Sequence, residues 1–332
     1  MMWKLLISIN KKLVYAIPVM IALGFLFGKV IDAQIVKQMK NLIVPLTFLM
    51  VYPMMVTLNI KHLQDGIKNV KLQVLTQLIN FLIIPFLAYG LGLWFFPDNH
   101  YMALGLLLAA LLPTSGMTIS WTGFAKGNMG AAINMTVIGL TLGSLAAPVY
   151  VKALMGAKVD MDIVLVVKQI VYIVFIPMLL GYFTRSYFIK KYGPKEFKMT
   201  WAPRFPSLST LGVLGIVFVA IALKAEKLSQ DPLILWMIFK PLLIIYFVNY
   251  TLGTLVGKFL FKRGDAIALV YGTVMRNLSI ALAIAINAFG EHGADAALVI
   301  AVSYIIQVQS AAWYVKLTSK IFGPVEEEVL NQ

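Results

Sequence analysis

The stretch Ala266–Phe289 reads AIALVYGTVMRNLSIALAIAINAF, apolar except chiefly where Gly272-Thr273 and Arg276-Asn277 interrupt it. It is long enough to cross a hydrocarbon core of roughly 30 Å as a helix, at about 20 residues per crossing. Arg276 lies near its middle. Aspartate and glutamate occur between the apolar stretches or close to an end of one, so no carboxylate faces Arg276 from a comparable depth. A cation held there costs a few kcal/mol on insertion scales and marks a pathway or a ligand site. Its counter-charge must come from backbone carbonyls, water or a ligand, and we read Arg276 as a contact for an anion. The competing account makes it a structural arginine that bonds carbonyls at the end of a half-helix.

The rest of the chain has the same character. Hydrophobic residues make up 60% of 332 and charged residues 13%, far from the mixture of a soluble domain. About ten spans of crossing length follow one another, over 13–30, 41–58, 72–96, 101–125, 129–153, 162–185, 205–223, 233–257, 265–290 and 295–318. The net charge of +14 suggests nucleic acid until its distribution is examined. Sorted by alternate loops, 18 of the 28 cations fall on one side and 7 on the other, with Lys168, Lys240 and Arg276 inside spans. That asymmetry orients a membrane protein with both termini in the cytoplasm, its basic loops against anionic headgroups. The first span, after MMWKLLISINKK, lacks a small-residue cleavage site and is expected to remain.

Cysteine is absent, which excludes disulfides, thiolate metal sites and cysteine nucleophiles. His62, His100 and His292 fall in loops between spans. No hydrolytic triad or nucleotide-binding loop is present. We therefore expect no catalysis, cofactor or resident metal, and no obligatory protein partner.

A second interruption lies in span 101–125, at Pro113-Thr114-Ser115-Gly116. Proline blocks normal helix continuation and glycine lets the backbone turn. The halves Tyr101 to Leu112 and Met117 to Ala125 would each cross about half the bilayer. An ordinary proline kink is the alternative, but Thr114, Ser115, Thr118 and Ser120 crowd the same place. Interrupted backbone at that depth needs protein or a watery cavity to satisfy it. About 156 residues separate Gly116 from Gly272, and a similar offset relates Val14-Tyr15 and Pro18 to Val171-Tyr172 and Pro177. We therefore expect one integral membrane unit made of two five-helix repeats, 1–158 and 159–332, the second inverted. Paired interruptions of this kind point to a transporter's binding site.

At Pro113-Thr114-Ser115-Gly116-Met117, Trp121, Lys126-Gly127-Asn128 and Met275-Arg276-Asn277 the chain resembles the bile acid:sodium symporter and arsenite-efflux superfamily. The resemblance covers nearly the whole length and is nearer to the arsenite-carrier branch. It implies an all-α membrane fold of ten helices with broken fourth and ninth helices crossing. Helices 3, 4, 5, 8, 9 and 10 would form a core, helices 1, 2, 6 and 7 a panel, and substrate would sit between. Arsenite carriers have a cysteine after the break proline, where this chain has Thr114, and a glutamate in the last helix, where it has Gln307. The soft thiolate that would bind trivalent arsenic is missing. Sodium-coupled relatives have ion ligands at positions that read here as Thr118-Ile119, Ala132 and Thr136, then Gly272 and Arg276. Thr118, Thr136 and Asn277 retain an oxygen, but Arg276 would repel a cation.

The expected site therefore comprises Arg276, Asn277, Thr114, Ser115, Thr118 and Gln307. Pro113, Gly116, Gly272 and Thr273 would break the helices, and Thr136, Asn134 and Gln77 would serve as ion-site or core polar groups. The expected function is secondary active transport of a small organic or inorganic anion across the plasma membrane by alternating access, with sodium coupling unsupported. Alternatives are a thiolate-independent metalloid carrier, a sodium-dependent organic-anion symporter, and a channel or non-transporting sensor on the same fold.

Overall fold

The computed structural model describes residues 2–57, 69–159, 162–290 and 292–324. Lys61, His62, Lys68 and the terminal Glu326–Glu328 run lie outside them. The described residues form helices and connecting turns, with no strand beyond one isolated bridge between Pro113 and Arg276. In chain order the principal helices are α1 (Met2–Lys11), α2 (Leu13–Val30), α3 (Ile43–Thr57), α4 (Val70–Phe95), α5 (His100–Leu111) and α6 (Gly116–Phe124). They continue with α7 (Met129–Met155), α8 (Val164–Tyr192), α9 (Arg204–Gln230), α10 (Leu233–Leu260), α11 (Arg263–Val274), α12 (Leu278–Ala288) and α13 (Gly293–Phe322). Six helical stretches among the described residues are long and apolar enough to cross a membrane, and shorter apolar helices accompany them. His100, expected in a loop, opens α5.

Proline shapes several of these helices. Wide π-type turns cover Ile79–Ile83, Val171–Phe175 and Phe197–Trp201, and each ends two residues before a proline, Pro85, Pro177 or Pro203. A proline has no N–H for the carbonyl four residues earlier, so the helix widens and other groups must take up that oxygen. At Phe81, the residue four before Pro85, the Tyr150 hydroxyl of α7 donates to the freed carbonyl at 2.6 Å.

The helices pack as two groups. In one, α9 lies against α2 and α3, and α8 lies against α3. In the other, α10 packs on α11, α4 on α5, and α13 on α5 and α12. Small residues allow the close approaches. A Cβ at Gly28 would stand 2.3 Å from the Ala222 carbonyl oxygen, and one at Gly212 would stand 2.4 Å from the Met50 nitrogen. Without a hydrophobic effect between helices in lipid, such backbone proximity is how they gain contact. The two groups meet where α9 and α2 touch α13 and where α3 touches α12.

Candidate functional site

The two interrupted stretches cross, and their backbones pair. The Thr114 N–H donates to the Met275 carbonyl at 2.8 Å, and the Asn277 N–H donates to the Leu112 carbonyl at 2.7 Å. Pro113 and Arg276 thus face each other as one antiparallel rung. This arrangement accounts for groups that a broken helix leaves without partners. Two further carbonyls at the end of α11 are taken by amides from neighbouring helices: Asn80 Nδ2 donates to the Gly272 carbonyl at 3.0 Å and Asn249 Nδ2 to that of Thr273 at 2.8 Å. Gln307 of α13 engages Arg276 itself. Its Oε1 accepts the Arg276 N–H at 2.8 Å and its Nε2 donates to the Arg276 carbonyl at 3.2 Å.

The second break therefore falls at 275–277, and the expectation that Gly272 and Thr273 break the helix is corrected. Both are helical in α11. Gly272 is there for packing, since a Cβ would meet the Met135 sulfur at 2.5 Å, and the Thr273 hydroxyl bonds back to the Val270 carbonyl. The first break does lie at Pro113–Ser115, with Gly116 as the first residue of α6. Thr114 carries a left-handed backbone, φ 62°, a rare state for a β-branched residue. Its hydroxyl donates to the Pro113 carbonyl at 2.6 Å and lies 3.2 Å from that of Thr136. Room for this turn comes from α7, where a Cβ at Gly143 would stand 2.8 Å from Pro113 Cδ.

A cavity of about 650 Å³ lies between the two helix groups and reaches the crossing. Its floor includes Ser115, Gly116 and Met117, where α6 begins, and Asn277, Leu278 and Ser279, where α12 begins. Met54, Trp121, Phe124, Pro206 and Val213 give its walls an apolar character, and Arg185 and Lys198 line it farther along. Among the described residues, the charged ones on its lining are Arg185, Lys198 and Arg276, all cations. Two helix N-termini thus direct N–H groups and positive dipole ends at one space.

Of the expected site residues, the cavity gathers Arg276, Asn277, Ser115 and Gln307. Thr114 and Thr118, both buried, are not on its lining. Thr114 turns toward α7, and the Thr118 hydroxyl accepts the Ser115 N–H at 3.1 Å as half of a capping box. Gln307 lines the cavity but has its amide committed to the Arg276 backbone. Asn277 Oδ1 caps α12 by accepting the Ile280 N–H, whereas its Nδ2 is buried without a hydrogen-bond partner among the described residues. Arg276 is 3% exposed, and its Nε, Nη1 and Nη2 likewise lack hydrogen-bond partners there. Its side chain adjoins a second, water-sized space of about 10 Å³ lined by Tyr246, Asn249 and Ser303. The guanidinium is thus enclosed in this conformation, at the back of the crossing.

Thr136 bonds its hydroxyl to the Ala132 carbonyl at 2.7 Å. Asn134 and Gln77 retain unpartnered buried amide atoms and do not line the cavity. No group of three or more His, Cys, Asp or Glu suited to a metal occurs among the described residues. Residues that sequence reasoning missed include Ser279, whose hydroxyl lies 2.6 Å from that of Tyr304, while the cavity cations Arg185 and Lys198 belong to a basic segment whose main reading is topological. Gly139 and Gly143, four apart on α7, were the available signal for a close approach at the break.

Helices long and apolar enough to cross a membrane, packed around a broken-helix crossing with a cavity that reaches it, are the architecture of a membrane transporter. Residues 44–231, more than half of the chain, match the model of the sodium bile acid symporter family, and the chain belongs to that family. It is similar to an uncharacterized transporter of Synechocystis sp., 24% identical over 343 residues and covering 94% of this chain and 88% of the relative. It is also similar to the arsenical-resistance protein Acr3 of Alkaliphilus metalliredigens, at 26% over 293 residues, 83% and 80% covered. Sodium/bile acid cotransporter 7-B of Xenopus laevis is 21% identical over 242 residues, 68% and 66% covered. The chain is a multi-pass membrane protein of a transport family.

Proposed function

We propose that this protein is a secondary active transporter that carries a small anion across the plasma membrane by alternating access. The carrying observation is the cavity floor, where the N-termini of α6 and α12 meet beside Arg276 and, among the described residues, no acidic side chain joins them. An anion there gains N–H donors and two dipole ends in a setting where charge is weakly screened. Ser115 and Asn277 are its first contacts, with Asn277 Nδ2 a ready donor. Arg276 contributes its field from behind the crossing and reaches the anion directly if the side chain turns.

Ten spans in two inverted five-helix repeats, 1–158 and 159–332, are the architecture we assign, with the first helix group as panel and the second as core. Two similar contacts support the repeat. Asn99, which caps the start of α5, donates to Asp295 near the start of α13 at 3.4 Å. Asn128, which caps the start of α7, donates to Asp265 near the start of α11 at 2.7 Å. The cation-rich segment 185–204 adjoins the cavity mouth, which supports a cytoplasmic opening and cytoplasmic termini. Sodium coupling is not part of the proposal, because Gly272 and Arg276 stand where the sodium-coupled pattern has ligands.

The similarity to an arsenical-resistance protein favours a second reading, efflux of a metalloid oxyacid. With no cysteine in the chain, it would be held by hydroxyls and amides. A thermal-shift screen of the purified protein against organic anions, arsenate, arsenite and antimonite, in sodium and in choline, tests both. A ligand at 100 times its Kd stabilises by about 2.7 kcal/mol. We expect an anion to shift melting equally in both salts. A shift that requires sodium would overturn the coupling proposal, and resistance to arsenite or antimonite in a sensitised host would favour the second reading.

A further inference from the structure

The cavity occupies one end of the boundary between the two helix groups, and the other end is held by charge. Lys224 Nζ of α9 lies 2.8 Å from Asp295 Oδ1 of α13, with side chains 17% and 13% exposed. On α9 the cavity-lining residues run to Val213, so Lys224 is about 17 Å farther along the helix. On α13 they begin at Tyr304, and Asp295 is about 14 Å away in the opposite chain direction. Both displacements lead away from the mouth. Between the clasped end and the crossing, Asn287 of α12 reaches Thr47 of α3 at 3.4 Å, a second polar contact from one group to the other.

The carboxylate belongs to the second group. It sits in the first turn of α13, where a negative charge is favoured, and accepts from Asn99 Nδ2. Lys224 comes to it from the first group. The similar carboxylate at the near end, Asp265, is bonded by Asn69 and Asn128, both of its own group, at 2.7 Å each. Asp265 makes no ion pair among the described residues. Among the described residues, one end of the boundary is therefore clasped by a cation from across it, and the carboxylate at the open end is not.

We propose that the Lys224–Asp295 ion pair closes the far end of the transport pathway in this conformation and must break before the site is exposed there. This rests on the alternating-access reading. A partly shielded pair that exists in one state and not in the other biases the equilibrium between them by its own strength. Removing it should favour the opposite state by up to about fivefold.

The chain has no cysteine, so single reporters can be read without background. Ser120→Cys reports on the cavity, where Ser120 is exposed. Val299→Cys, one turn from Asp295 and fully buried, reports on the far end. In the full chain, labelled with a water-soluble thiol reagent, Lys224→Gln should speed the second and slow the first, raising the ratio of the two rates by that factor. Asp295→Asn should do the same, and Lys224→Arg should do neither. Unchanged labelling at both reporters, with unchanged melting, overturns the clasp and leaves alternating access standing. Faster labelling at both reporters upholds the clasp and overturns alternation, since both ends would then be open together.

Discussion

Gln307 holds Arg276 by both edges of its backbone, accepting from the N–H at 2.8 Å and donating to the carbonyl at 3.2 Å. A side-chain amide thus acts as a short strand beside a single residue, while Leu112 and Thr114 pair with the peptides on either side. The arginine's main chain is fixed on two sides, although its guanidinium has no hydrogen-bond partner among the described residues.

Replacing Gln307 with Leu should therefore damage the fold before it damages binding. It leaves the Arg276 N–H and carbonyl buried without partners, at about 1–3 kcal/mol each. A lowered melting midpoint in detergent checks this. Gln307→Glu keeps one acceptor and adds a negative charge beside the crossing, so it should fold and lose anion-induced stabilisation.

Arg276→Met should behave in the opposite way. A buried, unpaired guanidinium is costly, and an apolar side chain of similar length removes that cost. We expect a melting midpoint at or above that of the parent and no response to anions. Arg276→Lys should retain a partial response, because an ammonium supplies charge without the planar fork. An Arg276→Met protein that cannot be purified would instead assign the arginine a structural role.

Asn277 separates capping from binding within one side chain. Asn277→Asp keeps the acceptor that caps α12 and exchanges the unpartnered Nδ2 for a negative charge. Folding should persist and anion affinity should fall by roughly tenfold or more, about 1.4 kcal/mol per decade. Titration by thermal shift gives both numbers from one sample.

Gly143→Val should loosen the crossing from a distance. Its side chain would collide with Pro113, whose ring already leaves only 2.8 Å for a Cβ. Overpacking of this kind costs about 1–3 kcal/mol. Gly90, where an added Cβ would meet nothing within 4 Å, is the control, and Gly90→Val should melt close to the parent.

Much of this was legible in the chain, and for stated reasons. Span length and composition exposed the membrane helices, and Pro113 announced the first break because a missing N–H is a local property. The second break falls within the interrupted stretch Gly272–Asn277, but at 275–277 rather than at Gly272 and Thr273. Gly272 resembles a breaker in one dimension, yet its helix is carried through by Met135, Asn80 and Asn249, which come from distant parts of the chain. Thr114 and Thr118 were assigned to the site for their hydroxyls, which a one-dimensional reading places near the break without revealing which way they point. The pairing of Gln307 with the Arg276 backbone had no local signal whatever.

The wide turn at Ile79–Ile83 has a consequence for genetics rather than for chemistry. Such a turn is one residue of slack stored in a helix, so deleting Phe81 would leave α4 long enough to span. Because the wide turn already absorbs the extra residue, the faces of α4 beyond it would keep their orientation, and what the deletion removes is the carbonyl that Tyr150 holds. The helix should therefore tolerate the loss of a residue here that an unbroken stretch would not, and a deletion scan would find this where a substitution scan would not.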